Sequence, residues 1–291
     1  MQKKMRFKKI VYLFLIFLIF TSLLLGLIIL SLKKSQQLEV SFLNVGQGDA
    51  ILIESGNRQV LIDAGKNGRT VLEKLGEEMP FWDRTLETVI ITHPDLDHYG
   101  GLGDILKYYQ VESVLKTEAE NTAEEWQEAK RDIEKEKSMV LNSTFGSTIV
   151  FPNGAKLEII YPFSKVEQSP EDKNDTSIVA RLDFGENRFL FTGDLSQAGE
   201  AELLKYGADI SADILKVGHH GSKSSSSDKF IQKINPQQAI ISVGKNSYGH
   251  PHPEVLERLE SNSVKIWRTD ESGTVKYKCK NPNNFCEIFV D

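Results

Sequence analysis

The apolar, β-branched stretch Thr88-Val89-Ile90-Ile91-Thr92 runs straight into His93-Pro94-Asp95-Leu96-Asp97-His98-Tyr99-Gly100-Gly101. The stretch reads as a buried strand. The residues after it set two imidazoles and two carboxylates into six positions at the strand end. Metal-ligating groups this close repel one another or forfeit solvation unless a cation gathers them. The two glycines let the backbone turn tightly into a following helix. A polar turn that caps a helix is the plainer alternative, but a cap needs one such side chain, not four. Any fold for this chain therefore has to bring that strand end to a metal-binding point.

The same pattern recurs along the chain. Its six histidines are His93, His98, His219, His220, His250 and His252, and all lie in loops after expected strands. Lys216-Val217-Gly218-His219-His220-Gly221-Ser222 follows an expected strand at Asp213–Val217. Tyr248-Gly249-His250-Pro251-His252-Pro253 comes soon after another at Gln238–Val243. A carboxylate ends a third, in Phe191-Thr192-Gly193-Asp194-Leu195. Gly-Asp at one strand end is usually a turn. Four clusters at four strand ends point to one shared site, because side chains converge where the strands of a sheet finish.

The remaining pattern supplies that sheet. Strands are expected at Leu38–Val45, Ala50–Glu54, Arg58–Ile62, Val111–Leu115, Lys156–Tyr161, Ser177–Phe184 and Arg188–Thr192. Helices are expected at Thr70–Glu77, Leu102–Tyr109, Gln197–Tyr206, Asp228–Ile234 and Pro253–Glu260, the last with proline at its start. Glu118–Lys137 alternates charge sign and reads as a solvated helix rather than a ligand site. Lys165–Asp175 is polar and reads as a flexible excursion. The order suggests two mixed sheets with helices outside them. Near the C-terminus, Asn281-Pro282-Asn283-Asn284 reads as a hairpin turn that sets Cys279 opposite Cys286. Directly opposed β positions bring Cα atoms into disulfide range, and an oxidising compartment would favour the bridge. Two unpaired thiols or, less readily, a zinc pair are the other readings.

The N-terminus sets where this domain would work. Residues 1–9 carry Lys3, Lys4, Arg6, Lys8 and Lys9, and 10–32 are uncharged and almost wholly apolar, before Lys33 and Lys34. As a helix, 10–32 spans about 34 Å, enough for a hydrocarbon core of about 30 Å. A cleavable signal peptide would carry a shorter apolar run and a small-residue cleavage site, which Leu30-Ser31-Leu32-Lys33-Lys34 lacks. The expected organisation is a basic tail at 1–9, a membrane anchor at 10–32 and a domain at 38–291. The positive-inside rule keeps the tail in the cytoplasm and sends the domain outside. Residues 1–34 hold seven of the 35 Lys and Arg and none of the 41 Asp and Glu, so the rest carries a net charge of −13. Such a domain is not a general polyanion binder.

The series Leu61-Ile62-Asp63-Ala64-Gly65, His93-x-Asp95-x-Asp97-His98-x-Gly-Gly, Thr192-Gly193-Asp194 and His219-His220-Gly221-Ser222 resembles the metallo-β-lactamase-fold hydrolases. More narrowly, Phe42-Leu43-Asn44-Val45-Gly46-Gln47-Gly48-Asp49-Ala50, the His-x-Asp-x-Asp-His variant and Tyr248–Pro253 resemble the hydrolase domain of ComEC-type DNA-uptake proteins. The resemblance covers about 38–278 and implies a four-layer αββα sandwich, here behind an N-terminal transmembrane helix. ComEC's channel has no counterpart in this chain. The implied centre holds two divalent metal ions, with His93 and Asp95 on one, Asp97, His98 and His219 on the other, and Asp194 bridging. Asp49 and Asp63 would order the ligands. Two departures from the commoner family pattern matter. Asp95 stands where a histidine is commoner, and no histidine occurs from 99 to 218. Asn174 or Asp175 lies where the missing ligand falls. Oxygen for nitrogen moves the preference from zinc toward manganese, although zinc still fits. Asn44 also stands where the ComEC-like motif usually has aspartate.

Two such ions would lower the pKa of a bridging water, and the hydroxide so formed would attack phosphorus or a carbonyl carbon. Asp194 and Asp97 would position it. His220, His250, His252 or Lys216 would bind developing charge or protonate the leaving group. The favoured expectation is an extracytoplasmic phosphodiesterase acting on nucleic acid, a nucleotide or an envelope polymer. Ester or lactam hydrolysis on the same site, and a non-catalytic tethered binding module, are the alternatives.

Overall fold

The computed structural model describes residues 2–143, 145–164 and 172–291, with the side chains of 2–4, 6–8, 10 and 27–35 left out. The first helix, α1 (Gln2–Ser35), precedes a body of two sheets. The first sheet begins with β1 (Leu38–Phe42), β2 (Ile51–Ser55), β3 (Arg58–Ile62), β4 (Thr85–Ile91), β5 (Gln110–Lys116) and β6 (Met139–Asn142). The second is formed by β7 (Thr148–Val150), β8 (Lys156–Tyr161), β9 (Val179–Phe184), β10 (Asn187–Phe191), β11 (Ile214–Lys216), β12 (Gln238–Ile241) and β13 (Lys265–Arg268). The closing hairpin, β14 (Val275–Cys279) and β15 (Glu287–Val290), returns to the first sheet beside β1. Strands β3 to β6 run parallel, as do β10 to β13. Their carboxyl ends therefore finish on one edge of the molecule.

Alternation along the strands decides what lies between the layers. Val40, Phe42, Ile53, Ile62 and Ile90 face Leu157, Leu182, Phe189, Phe191 and Ile214 of the other sheet. The alternate residues Leu52, Leu61, Val89 and Ile91 turn outward. They meet α2 (Gly68–Glu78), α4 (Leu102–Tyr108) and α5 (Glu124–Glu136), and the one-turn α3 (Leu96–Tyr99) adds Tyr99 to that layer. On the other side, α6 (Gln197–Tyr206), α7 (Asp228–Ile234) and α8 (Pro253–Ser261) bury Leu203, Phe230, Ile234 and Val255. A short α9 (Thr269–Ser272) precedes the hairpin. The result is a sandwich of two sheets with helices on both outer faces, the layer order the sequence implies.

Several expectations need correction. Strands β6, β7 and β13 were not expected, because β6 leaves every side chain exposed and none of the three shows a clear apolar alternation. The expected solvated helix begins only at Glu124, and one face of it is buried through Trp126, Ala129 and Ile133. Residues 118–123 are irregular, and Asn121 donates to the Pro94 carbonyl beside the first histidine cluster. The C-terminal hairpin has the expected register, with Lys278 opposite Glu287. Cys279 and Cys286 are disulfide-bonded.

The expected flexible excursion at Lys165–Asp175 lies, through residue 171, outside the described residues. Among the described residues no helix is long and apolar enough to cross a membrane.

Candidate metal centre

The site is built where β1, β3, β4, β10, β11 and β12 finish. Asp63 follows β3 with a left-handed backbone, φ 59°, which aspartate tolerates better than most residues. Its carboxylate accepts from Thr92 N and Thr92 Oγ1, both at 2.8 Å, and meets His98 Nδ1 at 2.8 Å. That contact fixes the imidazole and aims Nε2 at Asp194 Oδ2, 3.3 Å away. His220 is fixed in a parallel way. Its Nδ1 lies 2.8 Å from the Ser242 carbonyl, so Nε2 faces Asp97 Oδ2 at 3.2 Å and Asp194 Oδ2 at 3.4 Å. His93 completes the floor, its ring 4.1 Å from that of His98. All three of these histidines are buried.

The donor atoms form overlapping groups. His93, His98 and Asp194 bring ligand atoms within 4.8 Å of one another, and so do Asp97, His98 and His220. Asp49, Asp194 and His220 form a third set, and Asp49, Asp63 and His98 a fourth. His93 Nε2, His98 Nε2 and Asp194 Oδ1 are buried without a hydrogen-bond partner. Buried polar atoms are normally paired, and convergent unpaired donors suit a cation. The electrostatics agree. Burial opposes charge on His98, but Asp194 and Asp63 outweigh it and hold its pKa well above the ordinary value. Burial also opposes ionisation of Asp194, yet His220, His98 and Lys216 hold it well below the usual carboxylate range. The site draws positive charge, which protons supply when no metal does.

The expected residues fall into three groups. His93, Asp97, His98, Asp194 and His220 converge at the centre. Asp95 lies at the rim, half-buried, with its Oδ2 3.8 Å from His93 Nε2 and its Oδ1 3.5 Å from Lys173 Nζ. His219 is also outside the floor, with Nε2 3.8 Å from Asp194 Oδ2. Adjacent histidines both adopt left-handed backbones, φ 47° and 51°, and that geometry turns His220 inward and His219 outward. The resemblance implied His219 as the ligand, whereas the geometry sets His220 closer to both Asp97 and Asp194. His250 stands at the mouth, its ring 5.4 Å from that of His219, and His252 caps α8 instead.

Lys216 needs a correction. It was expected to meet a leaving group, but it is fully buried, paired with Asp49 and donating to the Gly193 carbonyl at 3.0 Å. Its charge balances the carboxylates from beneath, where no substrate reaches. Asn174 and Asp175 lie in a short turn against the site. Asp175 accepts from Ser196, while Asn174 Oδ1 is buried with no partner. Asn44 orders its own loop, accepting from Gly46 N at 3.3 Å.

A family model for the metallo-beta-lactamase superfamily matches residues 43–245. The chain belongs to that superfamily. It is 33% identical over 265 residues to ComE operon protein 3 of Bacillus subtilis, covering 85% of this chain and 34% of that protein. It is 32% identical over 245 residues to Recombination protein 2 of Haemophilus influenzae, covering 82% of this chain and 28% of that protein. The chain thus spans roughly a third of the length of these relatives. The metallo-beta-lactamase fold protein YhfI from Bacillus subtilis superposes with a TM-score of 0.57 at 13% identity, over 84% of this chain and 100% of that one, a likeness of fold alone. The domain is accordingly of the ComEC-type hydrolase kind. Metallo-beta-lactamase domains are generally metal-dependent hydrolases that bind divalent ions, typically two, and the donor set here fits such a pair.

Three contributors were not singled out from the sequence. Thr92 positions Asp63, and Ser177 Oγ accepts from Asp194 N at 3.1 Å. Thr92 directly precedes His93, a proximity that could have drawn notice. The Ser242 carbonyl that orients His220 carries no side-chain signal at all.

Proposed function

We propose that this chain is a membrane-anchored, extracytoplasmic phosphodiesterase. The observation that carries the reading is the position of Asp194. Its Oδ2 lies within 3.4 Å of the imidazoles of both His98 and His220, while its Oδ1, 3.6 Å from Lys216 Nζ, has no hydrogen-bond partner, so one carboxylate serves two adjacent ligand groups. His93, Asp95 and Asn174 would hold one ion and Asp97, His98 and His220 the other, with Asp194 between them. Bound together, two divalent ions supply an activated water and neutralise charge on both the attacking and leaving oxygens of a phosphodiester.

The residues of the chain do the rest. Asp63 and the Ser242 carbonyl keep the two buried imidazoles aimed inward, so little reorganisation accompanies the reaction. Asp97 and Asp194 accept hydrogen bonds from the attacking oxygen. Asn246 clamps the mouth by accepting from Tyr248 N and His250 N. His250 and His219, beside each other there, hand a proton to the leaving oxygen. The oxygen-rich ligand set favours manganese, with zinc also accommodated. The name of one relative, Recombination protein 2, supports a nucleic-acid or nucleotide substrate. The net charge of −13 outside residues 1–34 argues for a short segment of it or for a small phosphodiester on an envelope polymer. For the anchor, the support is the uncharged run at 10–32 and the outward display of Phe14, Phe17 and Phe20, each at least 59% exposed.

The test uses the full-length chain in detergent. Bound metal is measured, and turnover of bis(p-nitrophenyl) phosphate, single- and double-stranded DNA and a chromogenic lactam is compared with Asp194→Asn. Manganese- or zinc-dependent phosphodiester turnover, lost in the variant, is expected. Absence of metal-dependent phosphodiester turnover overturns the reading, and lactam turnover alone would move the site to acyl chemistry.

A further inference from the structure

We propose that the end of the body where β1 begins rests on lipid headgroups, through an exposed aromatic set centred on Phe81 and Trp82. This rests on the anchored reading above. Only Gln36 and Gln37 separate the end of α1 from Leu38. Three Cα steps reach about 11 Å at most, so whatever surrounds Leu38 lies close to the surface that α1 leaves.

The strand register identifies those surroundings. Leu38 pairs with Cys279, which puts the 281–285 turn at this end. Ser55 pairs with Arg58 and Thr85 with Gln110, so β4 and β5 also start here. Pro80 and Gln37 line one shallow cleft. The segments at this end leave aromatic rings uncovered: Phe81 is 79% exposed, Trp82 74%, Phe285 69% and Tyr108 65%. Phe81 and Trp82 pack edge to face with centroids 4.8 Å apart. Their neighbour Tyr109, in contrast, is buried and accepts a hydrogen bond from Arg84. Large exposed aromatic rings borne on the segments of one end mark an interaction surface. Rings of this kind settle at the membrane–water interface, where tryptophan and tyrosine are enriched. The adjoining apolar run makes a bilayer the partner that fits.

A consequence follows for the substrate. The metal centre lies at the opposite ends of the same strands, since His93 follows β4 and Asp63 follows β3. Seven residues of β4 set the two ends about 20 Å apart. The centre then faces away from the bilayer, toward soluble or polymeric phosphodiesters rather than membrane phospholipids.

Trp82 is the reporter, because Trp126 is fully buried and Trp267 is largely covered. The full chain is reconstituted into vesicles of phosphatidylglycerol and phosphatidylethanolamine, with or without acyl chains brominated near the headgroup. The difference in emission between the wild type and Trp82→Phe isolates Trp82. The expected result is a blue-shifted Trp82 emission that the brominated lipid quenches. Co-flotation of the chain with vesicles but an unquenched, red-edge Trp82 signal overturns the docking face alone. A chain that fails to float with vesicles overturns the anchor, and the docking face with it.

Discussion

His98 can offer Nε2 to a cation only because Asp63 occupies its other nitrogen. Partners of this sort commonly contribute 10- to 100-fold to metal affinity. Asp63→Ala should therefore weaken manganese or zinc binding by roughly that factor, in competition with a chelating dye. Unchanged affinity would remove Asp63 from its orienting role. Gly48 is a second point of dependence. Its backbone, φ 133°, is one that residues with side chains rarely adopt, and a Cβ there would collide with the Asp97 carbonyl oxygen. That closeness lets Asp49 N donate to the same carbonyl at 3.2 Å. Gly48→Ala should cost roughly 2 kcal/mol or more of stability and lower metal occupancy, read by thermal unfolding and metal analysis. The glycine was legible in the sequence as part of the Phe42–Ala50 motif. Its contact with Asp97 was not, because 49 residues separate the partners and only the sheet brings them together.

At the scale of elements, α6 ties down the loop that follows His220. Glu200, buried in the first turn of α6, accepts from Ser226 N and from Ser227 N, the latter at 2.8 Å. Burial pushes its carboxyl up to about 7 from an ordinary 4.5, against those hydrogen bonds. The folded state thus holds a proton that the unfolded chain releases. The stability from this group is complete below about pH 4.5, falls as pH rises and levels off above about 7. Glu200→Gln should flatten that decline, which amounts to roughly 3 kcal/mol for a shift of this size. Urea unfolding at pH 5 and pH 8 measures it, and an equal slope in both proteins would exclude Glu200 as the cause. Helices α6 and α7 were read from the sequence to the bounds the structure gives them. The edge strands β6 and β7 were not, because pairing with a neighbour, rather than their own alternation, makes them strands.

For the whole molecule, the candidate metal centre joins the two sheets. Asp63, His93 and His98 come from the first, Asp194 and His220 from the second. A bound ion would cross-link the halves and offset the buried carboxylates of Asp49 and Asp194 and the partly buried one of Asp97. Removing it with a chelator should lower the melting temperature and abolish turnover, with both restored by manganese or zinc, since a ligand bound only by the folded state stabilises it by mass action. A melting temperature indifferent to chelation, in protein shown beforehand to contain metal, would deny the centre this structural part.

The sequence by itself determined the chemistry and its neighbourhood. Histidines and aspartates at four strand ends, the flanking β-branched runs and the paired cysteines gave the donor types, the sandwich and the hairpin register, because each depends on local pattern. Which donors meet was decided only by tertiary structure. His219 and His220 are equivalent as letters, and the left-handed turn they share sends one to the floor and the other to the rim. Lys216 looks available in the sequence but lies sealed against Asp49 under the site. Burial and direction belong to the packed sheets, and no spacing along the chain encodes them.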